Sequence, residues 1–237
     1  MLVEYFDDNI HLGLTGGKKV GHAIFHQRSN ILGVTVVSDC GILSTQQIIE
    51  IGKLTERIKI HNIKLTTRQT ILFFIDSEDL SLLKDAIEAI GLSIGVFGNV
   101  VRNVKGCSGR RDLCKHSLGD AFGLGLQIQK SFMNQPTPKD FKISTAGCNR
   151  ACTDPYCADF GVIAVGEELF NVYIGGRGGS LVPTHGIIIA KKVPAEEVID
   201  LLDYLLVKYR ELAESDERLC ETIQRCGLKR FEFCQKI

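Results

Sequence analysis

The residues in this chain best suited to chemistry are cysteines. Five of the nine lie between Asn103 and Gly161, and four of those fall into two pairs, Cys107 with Cys114 and Cys148 with Cys152, set among glycines and basic residues. Two pairs drawn from separate loops can make one tetrathiolate site. Four sulfurs together need a soft cation, either zinc or an iron–sulfur cluster, to be stable as thiolates. Structural zinc favours cysteines two to four residues apart within each pair, and Cys107/Cys114 is wider than that. A cubane cluster tolerates more varied spacing. On spacing alone a cluster, zinc and unligated thiols all remain open.

The elements that must position these residues can be read from the pattern around them. Ile31 to Ser38 is apolar and β-branched and reads as a strand. Ser44 then starts a helix, with Gln47 completing a capping box and Ile48, Ile51, Leu54 and Ile58 as the apolar stripe. A second strand region covers Ile63 to Ile75, and Ser77 is expected to cap a helix carrying Leu80, Leu83, Ile87 and Ile90 that ends at Gly91. This β-α-β-β-α order predicts a small α+β domain over residues 1–97, after an irregular lead-in over the first 30 residues. Past Gly98 the chain turns to glycine-rich loops. A helix is expected from Leu113 to Phe132, then strands at Phe141–Thr145, Phe160–Val165, Leu169–Ile174 and Gly186–Lys191. Pro194 opens a long helix with Val198, Leu201, Leu202, Leu205, Leu206 and Tyr209 at helical spacing. Cys220, Cys226 and Cys234 are widely spaced among charges and read as buried or free thiols. Cys157 is expected to be buried where the chain enters a strand.

Composition narrows the setting. The 237 residues are 44% hydrophobic and 24% charged, enough for one large or two small cores, so disorder is excluded. The 28 basic and 28 acidic residues cancel, and no global field recruits nucleic acid or an anionic membrane. The start lacks a signal-peptide pattern and no apolar run has the length of a membrane span. The expected location is the cytoplasm, a reducing compartment in which cysteines are metal ligands or thiols.

Several ordered pieces resemble the nitrite and sulfite reductase family. They are Leu65-Thr66-Thr67-Arg68-Gln69; Val101-Arg102-Asn103-Val104 leading into Cys107-Ser108-Gly109; Phe141-Lys142-Ile143-Ser144 leading into Gly147-Cys148 and Ala151-Cys152; Asp159-Phe160-Gly161; and Gly175-Gly176. The resemblance implies a ferredoxin-like α/β sandwich domain over residues 1–97, followed by an α+β domain over residues 98–237 that binds siroheme and a [4Fe-4S] cluster. It implies Cys107, Cys114, Cys148 and Cys152 as cluster ligands, with Cys152 bridging to the siroheme iron. Siroheme carries many carboxylates, which cations and hydrogen-bond donors must hold. Thr66, Arg68, Gln69, Arg102, Asn103, Arg150 and Arg177 are the candidates. Arg102 and Lys142 match positions that receive the substrate oxyanion, with Lys105 as a neighbour.

The implied activity is reduction of sulfite to sulfide, with nitrite to ammonia as the lesser choice. The alternative is a non-catalytic electron-transfer subunit. No flavin or nicotinamide fingerprint is present, so a ferredoxin or flavoprotein is expected to supply electrons. The chain holds one copy of a module that many relatives carry twice. It either works with a reduced site or completes the site in a homo-oligomer or larger complex. Four departures from the family pattern stand out. Gly33 to Gly41 contains no basic residue, Asp140 occupies a place where a lysine is common, Cys148-Asn149-Arg150 replaces Cys-Pro-Asn, and the first cysteine pair is one residue wider.

Overall fold

A computed structural model describes residues 20–233, which divide into two compact units, the first running to Phe97 and the second from Gly98. Both mix helices with sheets, the α+β class expected from the sequence.

In the first unit the strands are β1 (Gly21–His22), β2 (Ile24–His26), β3 (Ile31–Val37), β4 (Ile60–Leu65), β5 (Ile71–Asp76), β6 (Ser93–Ile94) and β7 (Val96–Phe97). The main sheet is antiparallel in the order β2-β3-β5-β4, with β6 on the end of β3, while β1 pairs β7 separately. Helices α1 (Thr45–Leu54) and α2 (Leu80–Ala89) supply the other layer. Leu32, Val34 and Val36 of β3 and Ile71, Phe73 and Ile75 of β5 pack with Ile51, Leu54, Leu83 and Ile87 in one cluster. Each of the fully buried side chains is worth about 1.5–3 kcal/mol of transfer free energy.

The capping box at Ser44 and Gln47 is present in both directions. The apolar stripe of α1 differs from the expectation. Ile48 is exposed, because Gln47 turns inward and its amide donates to the Ile90 carbonyl at 3.0 Å. The inward line therefore runs from half-buried Gln47 through buried Ile51, Leu54 and Ile58. Ser77 does not cap α2. Residues 77–79 form a single tight turn, and the Ser77 hydroxyl donates to Asn30 Oδ1 at 3.0 Å. The supposed irregular lead-in contains β1 and β2, while residues 1–19 lie outside the described residues. The strand region at Ile63–Ile75 is two strands joined by the turn Thr66–Thr70.

The second unit holds β8 (Lys105–Gly106), α3 (Ala121–Phe132), β9 (Ile143–Ala146), β10 (Phe160–Gly166), β11 (Leu169–Ile174), β12 (Ile187–Pro194), α4 (Ala195–Leu212) and α5 (Leu219–Cys226). Its sheet runs β12-β11-β10-β9-β8. The β8, β9 and β10 strands are parallel, and β10, β11 and β12 antiparallel. A parallel pair needs a crossover, which α3 provides between β8 and β9. Val198, Leu201, Leu202, Leu205, Leu206 and Tyr209 of α4 are all buried, as their spacing predicts.

The helix expected from Leu113 begins only at Ala121, where the Asp120 carboxylate accepts the Gly123 N–H at 2.7 Å. Residues 110–118 are instead turns, pinned by Leu118 N–H to the Gly147 carbonyl at 2.8 Å. No described helix is long and apolar enough to cross a membrane.

Candidate metal centre

Strand direction brings the two cysteine loops together. Cys107 follows β8 and Gly147-Cys148 follow β9, and these neighbours are parallel with Gly106 opposite Thr145. Both loops therefore leave the same end of the sheet, the carboxyl end where ligand crevices form in open parallel sheets. Cys107 N–H extends the ladder by donating to the Thr145 carbonyl at 3.0 Å. Beyond it the loops touch backbone to backbone. A Cβ on Gly109 would lie 2.6 Å from the Gly147 Cα, and one on Gly147 would lie 2.7 Å from the Gly109 Cα. Only glycine permits that approach.

The second loop is locked from beneath. Thr153 Oγ1 donates to the Thr145 carbonyl at 2.7 Å, Ser144 Oγ to the Thr153 carbonyl at 2.6 Å, and Thr145 Oγ1 to the Ala121 carbonyl at 2.9 Å, all buried. Between Cys148 and Cys152 the chain turns through Ala151 at φ 50°, and Asp154 repeats this at φ 51°. Side chains other than glycine occupy that region at a cost, which the threonine and serine network offsets. Lys105 Nζ ties Asp154 to β8 at 2.6 Å.

The other three paired cysteines act on the Cys107 thiol. Burial raises the pKa of the Cys107 thiol, the Gly147 amide opposes this by hydrogen bonding to the sulfur, and Cys152, Cys114 and Cys148 each push it higher. Like charges that crowd one sulfur ask for a cation. Cys157 is absent from that set. Contrary to expectation it is exposed, lying beside Gly178, where an added Cβ would be 2.9 Å from the Cys157 Cβ. Among the described residues, no group of three or more Cys, His, Asp or Glu side chains is arranged to hold a single metal ion. Four thiols spread over two loops suit a cluster of several irons better than one zinc. All eight described cysteines are free thiols. Cys40 is buried, with its pKa pushed up to about 12 by burial and Asp39. Cys220 is buried in α5, Cys226 is half-buried, and Cys234 lies outside the described residues.

The candidate anion residues gather around a carboxylate. Arg102 is half-buried, and its backbone N–H donates to the Phe141 carbonyl at 2.8 Å. Burial lowers its pKa, Asp140 raises it and Arg218 lowers it. Lys142 Nζ lies 3.3 Å from Asp140 Oδ2, and its backbone N–H donates to Asp159 Oδ2 at 2.8 Å. Arg218, which the sequence reading missed, reaches both acids, with Nη1 2.9 Å from Asp140 and Nη2 2.7 Å from Asp159. No local pattern marks it, since the partners lie 78 and 59 residues away.

The other candidates are more dispersed. Asn103 is buried next to Arg102, and Arg150 is exposed in the turn between Cys148 and Cys152. Arg177 is held by Glu221 at 2.7 Å, and its glycine-rich loop packs on the Tyr156–Ala158 backbone. Thr66, Arg68 and Gln69 belong to the first unit, in the β4–β5 turn. The Thr66 hydroxyl accepts the N–H groups of Arg68 and Thr70, each at 3.2 Å. Gln69 sits at φ 59°, against Gly41.

A ferredoxin-like sheet unit joined to a unit with four thiols at the mouth of a parallel sheet defines an iron–sulfur oxidoreductase module. Residues 97–234 match the nitrite and sulphite reductase 4Fe-4S domain, and residues 26–90 match the nitrite/sulfite reductase ferredoxin-like half domain. The chain belongs to the nitrite and sulfite reductase family, oxidoreductases that carry siroheme and a [4Fe-4S] cluster. It is 30% identical over 200 residues to the nitrite reductase [NAD(P)H] of Emericella nidulans, covering 84% of this chain and 18% of that one. It is 22% identical to the assimilatory-type sulfite reductase of Nitratidesulfovibrio vulgaris, covering 80% of this chain and 85% of that one. Dissimilatory sulfite reductase I shares the fold, with a TM-score of 0.74 at 13% identity over 85% of this chain and 68% of that one. The chain thus spans about a fifth of the fungal nitrite reductase it matches.

Proposed function

We propose that the chain is a siroheme- and [4Fe-4S]-dependent reductase of a small oxyanion, with sulfite as substrate and sulfide as product. In this reading Cys107, Cys114, Cys148 and Cys152 would hold the cluster, and Cys152 would also serve as a ligand toward siroheme. The observation that carries it is the backbone clamp at Gly109 and Gly147, which holds the loops bearing Cys107 and Cys148 together at one end of the sheet. When bound, the paired cofactors deliver electrons one at a time to a single centre. Reduction of hydrogen sulfite to hydrogen sulfide ion takes six electrons and six protons and releases three waters.

The chain's own residues have the remaining work. In this reading Arg102 and Lys142 attract and orient the oxyanion, and Lys142 passes a proton to a departing oxygen. Arg68, Arg150, Thr66, Gln69 and Asn103 hold siroheme carboxylates and polar groups. Arg177 reaches a carboxylate only by exchanging Glu221. Sulfite is preferred to nitrite because the Nitratidesulfovibrio sulfite reductase matches this chain over most of both lengths. Electrons come from a separate ferredoxin or flavoprotein in the cytoplasm.

A second reading, a cluster-bearing electron-transfer subunit without turnover, draws on Asp140 standing beside Lys142. Protein purified without oxygen separates the two. Siroheme absorption bands, acid-labile sulfide and sulfite-dependent oxidation of a reduced dye support the enzyme, and iron and sulfide without siroheme support the subunit. The ligand set has its own test. Cys152→Ser loses the cluster or its magnetic coupling, and Cys157→Ser keeps both, by iron counting and electron paramagnetic resonance. The reverse pattern overturns the ligand assignment.

A further inference from the structure

A carboxylate beside the proposed anion site poses a problem of charge. Asp140 lies against Lys142, and Asp159, which is 1% exposed, accepts the Lys142 backbone N–H. Alone, these two acids cancel Arg102 and Lys142 and leave nothing for an incoming anion. Arg218 sits between them, with its side chain 7% exposed and one nitrogen on each acid. Its Nε and the Asp159 Oδ1 are buried without hydrogen-bond partners. A buried pair with unsatisfied atoms is a poor device for stability alone, because desolvation consumes much of its attraction. It does restore the balance of charge. With Arg218 the cluster has three cations against two carboxylates, and without it two against two.

We propose that Arg218 is a positioning residue of the anion site, engaging Asp140 and Asp159 so that the charges of Arg102 and Lys142 stay available to an inorganic oxyanion. The inference rests on the reading that Arg102 and Lys142 receive the anion. Arg218 arrives from the N-terminal end of α5, where its own N–H donates to Glu221 Oε2 at 2.8 Å. Helix α5 thereby offsets the acid that replaces a basic residue on the approach to β9.

The test measures sulfite binding to the cofactor-loaded protein by calorimetry at pH 7.5, together with thermal midpoints. Arg218→Met weakens sulfite binding by about tenfold, Asp140→Asn tightens it by a similar factor, and the double variant returns to within about threefold of the parent. A purely structural Arg218 gives a different pattern, since the double variant then stays as weak as the single one, and that result overturns the proposal. Should Arg218→Met fail to fold, Asp140→Asn decides, and unchanged or weaker sulfite binding there overturns it. Arg102→Ala is measured in parallel. Full affinity in that variant overturns the parent reading, whereas lost affinity there with no change in Arg218→Met or Asp140→Asn overturns only the role of Arg218.

Discussion

Replacing Gly147 by alanine tests whether the clamp between the cysteine loops holds the centre together. The added Cβ would lie 2.6 Å from Ser117 Oγ and 2.7 Å from the Gly109 Cα. The serine hydroxyl can rotate away, but the Gly109 backbone cannot, so the loops must part by several tenths of an ångström or more. Overpacking of this kind costs about 1–3 kcal/mol. Parting also loosens the Leu118 N–H bond to the Gly147 carbonyl and the Gly147 amide bond to the Cys107 sulfur, each worth about 1 kcal/mol. The expected loss is about 3–5 kcal/mol, a fall of about 6–20 °C in the thermal midpoint. Iron and acid-labile sulfide per chain should fall with it, because the loops that carry the proposed ligands part. Gly109→Ala, whose Cβ would lie 2.6 Å from the Gly147 Cα, should behave alike. Gly179→Ala, with nothing within 4 Å, is the silent control. Parental midpoints and full iron content in both clamp variants would refute the reasoning.

Two further predictions concern stability. Burial raises the Asp159 carboxyl from its ordinary 3.8 to about 6, against the pull of Arg218 and the Lys142 amide. The folded chain therefore holds that proton more tightly than the unfolded chain, so the group's contribution is complete below about pH 4 and lost as pH rises through 6. About two pKa units correspond to about 3 kcal/mol. Asp159→Asn should remove this slope when denaturant midpoints are compared from pH 4 to 7, and an unchanged slope would show that another group carries it. In α1, a Cβ on Gly52 meets nothing within 4 Å, so Gly52→Ala should raise the stability of the first unit by about 0.5–1 kcal/mol in denaturant titration. Equal or lower stability would contradict that placement.

Features set by neighbours in sequence were legible in advance. The capping box at Ser44 and Gln47, the buried face of α4 and the span of β11 all follow from local periodicity. The α1 stripe was misread at Ile48 because the favourable partner of Gln47 is a carbonyl on another helix. The start of α3 was misread because the leucine at 113 is exposed, and its segment is held in turns by Gly147, far along the chain. The nearness of a strand misleads at Cys157, which stays exposed although the loop at Gly178 packs beside it. The four paired cysteines were legible as residue types, and the structure adds that the loops bearing Cys107 and Cys148 leave the same end of the sheet and are clamped at Gly109 and Gly147. Arg218 was beyond reach, since its meaning lies in two acids from distant segments.

The parallel pairing of β8 and β9 has a consequence for biosynthesis. A nascent chain exposes Cys107 and Cys114 before α3 exists, and the second thiol pair follows only after that helix and β9. At synthesis rates of about 5–20 residues per second, the interval lasts a few seconds. Throughout it the first pair has no facing strand and no Gly147 against Gly109. Iron offered on the ribosome meets two thiols on an unsupported loop, and an oxidant meets the same two without competition. The helix that makes the parallel crossover also imposes a delay, and protection of that early dithiol becomes a task for the cell before the fold can perform it.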